Sequence, residues 1–249
     1  MIYCEAKTCL LLTDYYGKVG QMRIVFLNVW HGKIEQALTS YLQQKAPTTD
    51  IFCFQEADGD LQYLCAQALP EYDVYTDRKF ITSTNDFAQT TYVRKDITVI
   101  SSGSILKDHP RAGLGLYVEI KTGEERLFVC NFHGMSRPVD KLDNPDRILQ
   151  TTTLLEFFKN EKQVVIGGDF NVFPETNSIQ MFSARDYHDL INEYGITNTR
   201  NRYVWERYPD TKQYYSDYVF LSPAVRCLKF TVPSNEVSDH LPLELEIAD

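Results

Sequence analysis

Residues 163–171 read Gln163-Val164-Val165-Ile166-Gly167-Gly168-Asp169-Phe170-Asn171. The β-branched run favours a buried strand, and the paired glycines allow the backbone a sharp change of direction. An acid and an amide two positions apart follow at once, so the segment delivers polar chemistry to the end of a core strand. If the chain stays extended there, Asp169 and Asn171 point the same way. Gly-Gly-Asp-x-Asn is equally good chemistry for an Asx turn, and the segment alone leaves the two readings even.

Other segments repeat this pattern. Met22–Asn28 is a strand-like run ending in Asn28, and Ile51–Phe54 stops abruptly at Gln55-Glu56. Leu127–Phe132 carries Asn131 and leads into His133. Tyr214–Leu221 contains Asp217, and Asp239-His240 precede an apolar run over Leu241–Ile247. Helical spacing connects several of these strands. Ile34, Ala37, Leu38, Tyr41 and Leu42 share a face closed by Pro47, and Leu61, Leu64, Cys65, Ala68 and Leu69 form a second stripe. Asn144-Pro145 reads as an N-cap with proline in the first helical position, ahead of Ile148, Leu149, Leu154, Leu155 and Phe158.

From Tyr72 to His133 the helical period vanishes. Tyr72–Tyr75, Phe87–Val93, Ile97–Ile100, Leu114–Ile120 and Leu127–Phe132 read as consecutive strands, and Arg226–Val232 as a later one. The stretch from the Asp169 motif to about Asp210 is polar and aromatic and receives no element. Two packed sheets with outer helices, in a single domain over residues 22–249, account for this order. Residues 1–21 match no period and are expected to be a peripheral extension, or a misassigned start.

At roughly 150 residues per domain, 249 residues correspond to one large domain or two small ones, and no Pro/Gly/Ser-rich linker divides the chain. Lys+Arg number 25 against 34 Asp+Glu, a formal charge of −9. That balance weakens any function resting on a basic surface for duplex nucleic acid, but a bound divalent cation can reverse the field locally. Six cysteines show no metal-ligand spacing and imply a reducing compartment. The chain has no apolar stretch of membrane length and no signal-like leader, so the expected location is the cytoplasm, with no membrane and no protein partner implied. Gly-x-Ser-x-Gly, the phosphate-cradling Gly-x4-Gly-Lys-Ser/Thr loop and His-Glu-x-x-His are all missing, which argues against the corresponding enzyme classes.

Six short stretches, taken in order, resemble one superfamily. They are Leu27-Asn28-Val29-Trp30, Phe54-Gln55-Glu56, Asn131-Phe132-His133, Gly168-Asp169-Phe170-Asn171, Ser216-Asp217-Tyr218-Val219-Phe220 and Ser238-Asp239-His240-Leu241-Pro242. Together they are similar to the motifs of the endonuclease/exonuclease/phosphatase superfamily of metal-dependent phosphoesterases, the DNase I-like enzymes. The resemblance implies an α+β, four-layered α/β/β/α sandwich of two packed mixed β-sheets with outer helices and a site at the sheet edges. It also places Asn28, Glu56 and Asp239 around Mg²⁺ or Mn²⁺. His133, Asp169, Asn171, Asp217 and His240 become the catalytic set, with Asp217 orienting His240.

Each residue also has a plainer reading. Glu56 taken singly is a surface glutamate, Asn28 a turn asparagine, and His240 a core histidine bonded to a carbonyl. Histidine rather than tyrosine at 133 points within the family toward DNase I-like enzymes, phosphodiesterases and phosphatases, although no carboxylate that would orient His133 is legible. His31, His109 and His188 read as surface or turn residues, although His31 lies just past Trp30, within reach of the rim. Arg137, Arg147, Arg200 and Arg202 read as substrate-phosphate contacts or solvated loop charge. Tyr203, Trp205, Tyr208, Tyr214 and Tyr215 read as a stacking surface or as packing.

The expected activity is metal-dependent hydrolysis of a phosphoester by an activated water. The expected partner is a phosphoester substrate, either a small molecule or a nucleic-acid end. A DNase I-like nuclease is the alternative, and a catalytically silent binding or scaffold protein on the same fold the second alternative.

Overall fold

The computed structural model describes residues 20–82 and 85–248. Most of the extension expected over residues 1–21, with Cys4 and Cys9, lies outside them. Its last two residues, Gly20 and Gln21, are among those described, and Gln21 opens the first strand, paired with Ala248.

The chain runs β1 (Gln21–Asn28), α1 (Glu35–Lys45), β2 (Ile51–Gln55), α2 (Asp60–Ala68), and then five strands in succession. These are β3 (Tyr72–Thr82), β4 (Asn85–Arg94), β5 (Val99–Ile105), β6 (Leu114–Thr122) and β7 (Glu125–His133). Helix α3 (Pro145–Phe157) leads to β8 (Val164–Asp169). After it come α4 (Asn177–Ser183), β9 (His188–Asp189), α5 (Leu190–Glu193) and α6 (Arg202–Arg207), and finally β10 (Asp217–Leu221), β11 (Cys227–Thr231) and β12 (Leu243–Ala248). The elements between β8 and β10 were not expected. They are short, and one to three buried side chains hold each rather than a periodic stripe: Ile179 and Phe182 in α4, where Phe182 stacks on Phe220 of β10 at 3.9 Å, Leu190 and Ile191 in α5, and Val204 in α6.

One sheet has the order β11-β12-β1-β2-β4-β3 and the other β5-β6-β7-β8-β10-β9. Each is mixed, with a single parallel pair at its centre, β1–β2 and β7–β8. Strand β1 shows why its sequence reads as a continuous apolar run. Ile24 and Phe26 pack toward the other sheet, while Val25 and Leu27 pack under α1 and α2, so both faces are buried. Helices α3 and α4 cover the second sheet through Leu154, Leu155, Phe158 and Phe182. The expected four-layered α/β/β/α sandwich is the architecture observed. Asn144 caps α3 as expected, its side chain accepting the Arg147 N–H at 3.0 Å.

Polar stitches join the two sheets beneath the site. Gln55 Nε2 donates to Asn131 Oδ1 at 2.6 Å, and Asn131 Nδ2 donates to Phe54 O at 3.0 Å. Gln89 Nε2 reaches Leu114 O and Asn131 O, both at 2.8 Å. Asn131 therefore belongs to the scaffold. Gly168 sits at φ +133°, and a Cβ there would lie 2.1 Å from Phe132 O, so only glycine permits the last turn of β8. The four cysteines among the described residues are free. No helix among those residues is long and apolar enough to cross a membrane.

Candidate active site

The central strands of both sheets stop at the same end of the sandwich. Glu56, Asp169, Asn171, Asp239 and His240 there share one open cleft of about 420 Å³ with Trp30, Lys141 and Arg200. Asn28, His133 and Asp217 are buried in the same neighbourhood. Asn28 links the two halves: its Nδ2 donates to Glu56 Oε1 and to Asp169 Oδ2, both at 3.1 Å. Its own oxygen accepts the Trp30 N–H at 3.0 Å, so Asn28 presents N–H rather than oxygen to the carboxylates.

Asp169 is the centre of the arrangement. The chain does not stay extended beyond it. Asn171 is left-handed (φ +56°), and its N–H returns to Asp169 Oδ1 at 3.0 Å, which is the Asx turn. The turn wins because strand pairing ends at Asp169 and a short polar side chain tolerates positive φ. The Asn171 side chain does not bond Asp169; its Nδ2 donates to Gly134 O at 3.2 Å. Ser216 Oγ supplies the second bond to Asp169 Oδ1 at 2.5 Å. Oδ2 is left facing His240 Nε2 at 3.6 Å and His133 Nε2 at 3.7 Å.

His240 is clamped from behind. Its Nδ1 lies 2.9 Å from both oxygens of Asp217, and Thr199 Oγ1 donates to Asp217 Oδ2 at 2.8 Å. A carboxylate only accepts, so Nδ1 carries the proton and Nε2 is the atom presented to the cleft. Ligand atoms of Asp169, Asp217 and His240 lie within 4.8 Å of one another, but their bonding makes them an acid–imidazole–acid line rather than an open cation shell. Burial and the Arg200 charge disfavour the imidazolium. Asp217, Asp239 and Asp169 together outweigh them and hold His240 above the ordinary histidine range. Burial pushes the Asp169 carboxyl up, yet the facing charges of His240, His133, Lys141 and Arg200 bring it well below the usual carboxylate range.

His133 is placed by packing. The Phe87 ring meets it edge-on at 4.9 Å, and among the described residues its Nδ1 has no hydrogen-bond partner, in keeping with the missing carboxylate.

Several residues depart from expectation. His31 takes the rim position open to it, with its Nε2 3.2 Å from Glu56 Oε2 and its Nδ1 3.0 Å from Asp58 Oδ1. Trp30, His31 and Glu56 all have positive φ, a strained backbone that brings the two loops together. Arg200 is buried and paired with Asp239 at 2.7 Å, so it is neither solvated charge nor a free phosphate contact. Arg147 is wholly buried and bonds Asp140 and the carbonyls of Pro138 and Leu142. It staples a loop instead of meeting substrate. Arg202 pairs with Glu236 on the surface, whereas Arg137 lines the cleft. Tyr203 stacks obliquely on Trp30 at 6.0 Å, and Trp205 packs on Tyr214.

Lys141, Ser216 and Thr199 were missed. Ser216 opens one of the six matched stretches without a role of its own there, and Thr199 carries no signal beyond sequence proximity to Arg200. Lys141 lies in a loop of mixed charge, where nothing distinguishes a buried lysine from an exposed one.

No curated protein sequence matches the chain. Among solved structures it is similar to an endonuclease/exonuclease/phosphatase from Bacteroides vulgatus, with a TM-score of 0.73 at 19% identity over 92% of this chain and 98% of that one. A mannosyl-6-phosphatase of Bacteroides thetaiotaomicron gives 0.69 at 18% identity, covering 92% and 100%. The human Nocturnin catalytic domain, solved with a sulfate anion, gives 0.69 at 16%, covering 92% and 93%. At these identities the likeness is one of fold. The family model for the endonuclease/exonuclease/phosphatase family matches residues 25–240, a span that runs from β1 to His240 and takes in every residue of the cleft described above, so this chain belongs to that family.

Proposed function

We propose that the chain hydrolyses phosphoester bonds, with Asp169 activating the attacking water. The observation that carries this reading is Asp169 Oδ2, which faces two imidazole nitrogens at 3.6 and 3.7 Å. These separations are too long for direct hydrogen bonds, and an oxygen seated beside the acid and either imidazole would be within reach of both. Two N–H or O–H donors hold Oδ1, while Oδ2, which takes one bond from Asn28 Nδ2, is the oxygen aimed at the reacting centre. His240, kept protonated at Nδ1 by Asp217, donates from Nε2 to the phosphoryl oxygen and offsets the charge that grows there. His133 makes a second phosphate contact or protonates the leaving group. Asn171 shapes the turn that sets Asp169 in place.

The donor set suits a hard divalent cation, Mg²⁺ or Mn²⁺. Glu56 and Asp239 each keep one carboxylate oxygen outside their ion pairs with His31 and Arg200, and the residues lining the cleft include no thiol or thioether. Glu56 and Asp239 would hold the ion, with Asn28 fixing Glu56. When bound, it supplies Lewis-acid polarisation of a phosphate oxygen.

The substrate we propose is a small phosphoester or a nucleic-acid end. A cleft of about 420 Å³ suits a small molecule, the chain is acidic, and Lys33, Arg137 and Arg207 line the walls. A fold neighbour named as a mannosyl-6-phosphatase supports the same class. The test is a panel of phosphomonoesters and phosphodiesters with Mg²⁺, Mn²⁺ or chelator, run beside Asp169→Asn. Hydrolysis that depends on the metal and disappears in the variant is expected. Activity that survives in Asp169→Asn removes that residue from the chemistry, and no hydrolysis at all favours the silent scaffold. A nuclease acting on long duplexes would lose binding steeply as salt rises, whereas a small-substrate hydrolase would not.

A further inference from the structure

We propose that Lys141 is a positioning residue that fixes the Asp169 carboxylate through Ser216, on a loop built to deliver it. The inference rests on Asp169 acting as proposed above. Lys141 lies between β7 and α3 and is only 3% exposed. A buried ammonium is costly unless its protons find acceptors. Its Nζ donates to Ser216 Oγ at 2.8 Å and to Tyr215 O at 3.2 Å. Ser216 Oγ lies in turn 2.5 Å from Asp169 Oδ1.

The sense of this chain follows from donor inventory. An ammonium can only donate, so it occupies a lone pair of the serine oxygen. The single hydroxyl proton is thereby directed at Asp169. With the Asn171 N–H on the same oxygen, the carboxylate is left with Oδ2 toward the imidazoles.

The loop supports the assignment independently. Lys141 has φ +57°, a strained conformation for a residue with a side chain, and such strain persists only where the surroundings over-determine it. They do so here. Arg147 reaches back from the first turn of α3 to the Pro138 and Leu142 carbonyls and Asp140, and Lys141 O accepts the Phe173 N–H at 3.0 Å.

The experiment compares Lys141→Met, Ser216→Ala and the double variant on whichever phosphoester the parent chain turns over. Each single change is expected to lower kcat roughly 10- to 100-fold, the range for groups that orient a reactive side chain, with KM held within about two-fold. Residues acting as one unit are not additive, so the double variant is expected to be no worse than the weaker single one. Parental kcat in either single variant, a change confined to KM, or losses that multiply in the double variant would each overturn the proposal. A crystal structure of Lys141→Met supplies a readout independent of turnover. The Asp169 carboxylate is expected to have rotated off Ser216, and an unmoved carboxylate overturns the assignment. If the parent chain hydrolyses nothing in the panel, the functional reading falls and that crystal structure alone decides the role of Lys141.

Discussion

Replacing Asp217 by asparagine is the sharpest test of how His240 is held. The change is nearly isosteric, so the core around β10 has little reason to move. Its cost lies in the hydrogen-bond inventory. Thr199 Oγ1 spends its one proton on Asp217 Oδ2 and already accepts the N–H groups of Ser216 and Asp217, both at 3.1 Å. An amide nitrogen turned toward Thr199 would find no free acceptor, at a cost of about 1–3 kcal/mol. Turned toward His240, the same nitrogen would force Nδ1 to accept. The imidazole would then carry its proton on Nε2, the atom facing Asp169. Either arrangement also removes the negative charge that favours the imidazolium. A neutral ring with its proton on Nε2 can still donate to the phosphoryl oxygen, so what the variant loses is the positive charge, and a hydrogen bond from a charged group is worth about 1.5–3 kcal/mol. We expect a loss of roughly 10- to 100-fold in kcat, with the melting temperature lowered by only a few degrees. Steady-state kinetics and ¹⁵N spectra of the His240 ring would measure both effects. A variant within about three-fold of the parental kcat, or one whose ring keeps its proton on Nδ1, would refute the reasoning.

Gly168→Ala is expected to yield no native protein, because its Cβ would overlap Phe132 O at a φ that alanine rarely adopts, and a far-ultraviolet circular dichroism melt would show this. Arg147→Met should lower stability by about 1–2 kcal/mol in urea titrations, since the part-buried Pro138 and Leu142 carbonyls lose their charged donor. Burial, then the Arg200 charge, pushes the Lys141 ammonium down to about 8, against smaller upward pulls from Asp169 and Asp217. Above that pH the amine can accept the serine proton, so turnover is expected to fall as pH rises through about 8. Lys141→Arg, which stays charged, should move that alkaline limb upward in a pH–rate profile, and an unmoved limb would contradict the link. Stability runs the other way for this group. The folded chain binds fewer protons than the unfolded one between about 8 and the free-lysine value of 10.5, so the Lys141 contribution rises with pH across that window.

The sequence by itself determined the sandwich, because the residues that build it follow local rules. Buried central strands need apolar side chains on both faces, as in Val25-Phe26-Leu27. A helix start needs an acceptor such as Asn144, and a last strand turn with no room for Cβ needs Gly168. Polar residues gathered at strand ends drew attention to Glu56, Asp169, Asp217, Asp239 and His240, and only the resemblance of the six ordered stretches to one superfamily gave them roles. Tertiary structure decided whatever depends on partners distant along the chain. A lysine in a charged loop looks solvated until the fold presses it against Ser216, 75 positions away. Arg147 and Arg200 read equally as substrate contacts or solvated loop charge until the fold gave them carbonyls and Asp239 to bind. The Asx turn after Asp169 was even with an extended chain until pairing with β7 and β10 ended at that residue. Periodicity and turn chemistry act over a few residues and so can be read in order. Charge pairing and desolvation act through space, and only the folded chain fixes which groups face each other.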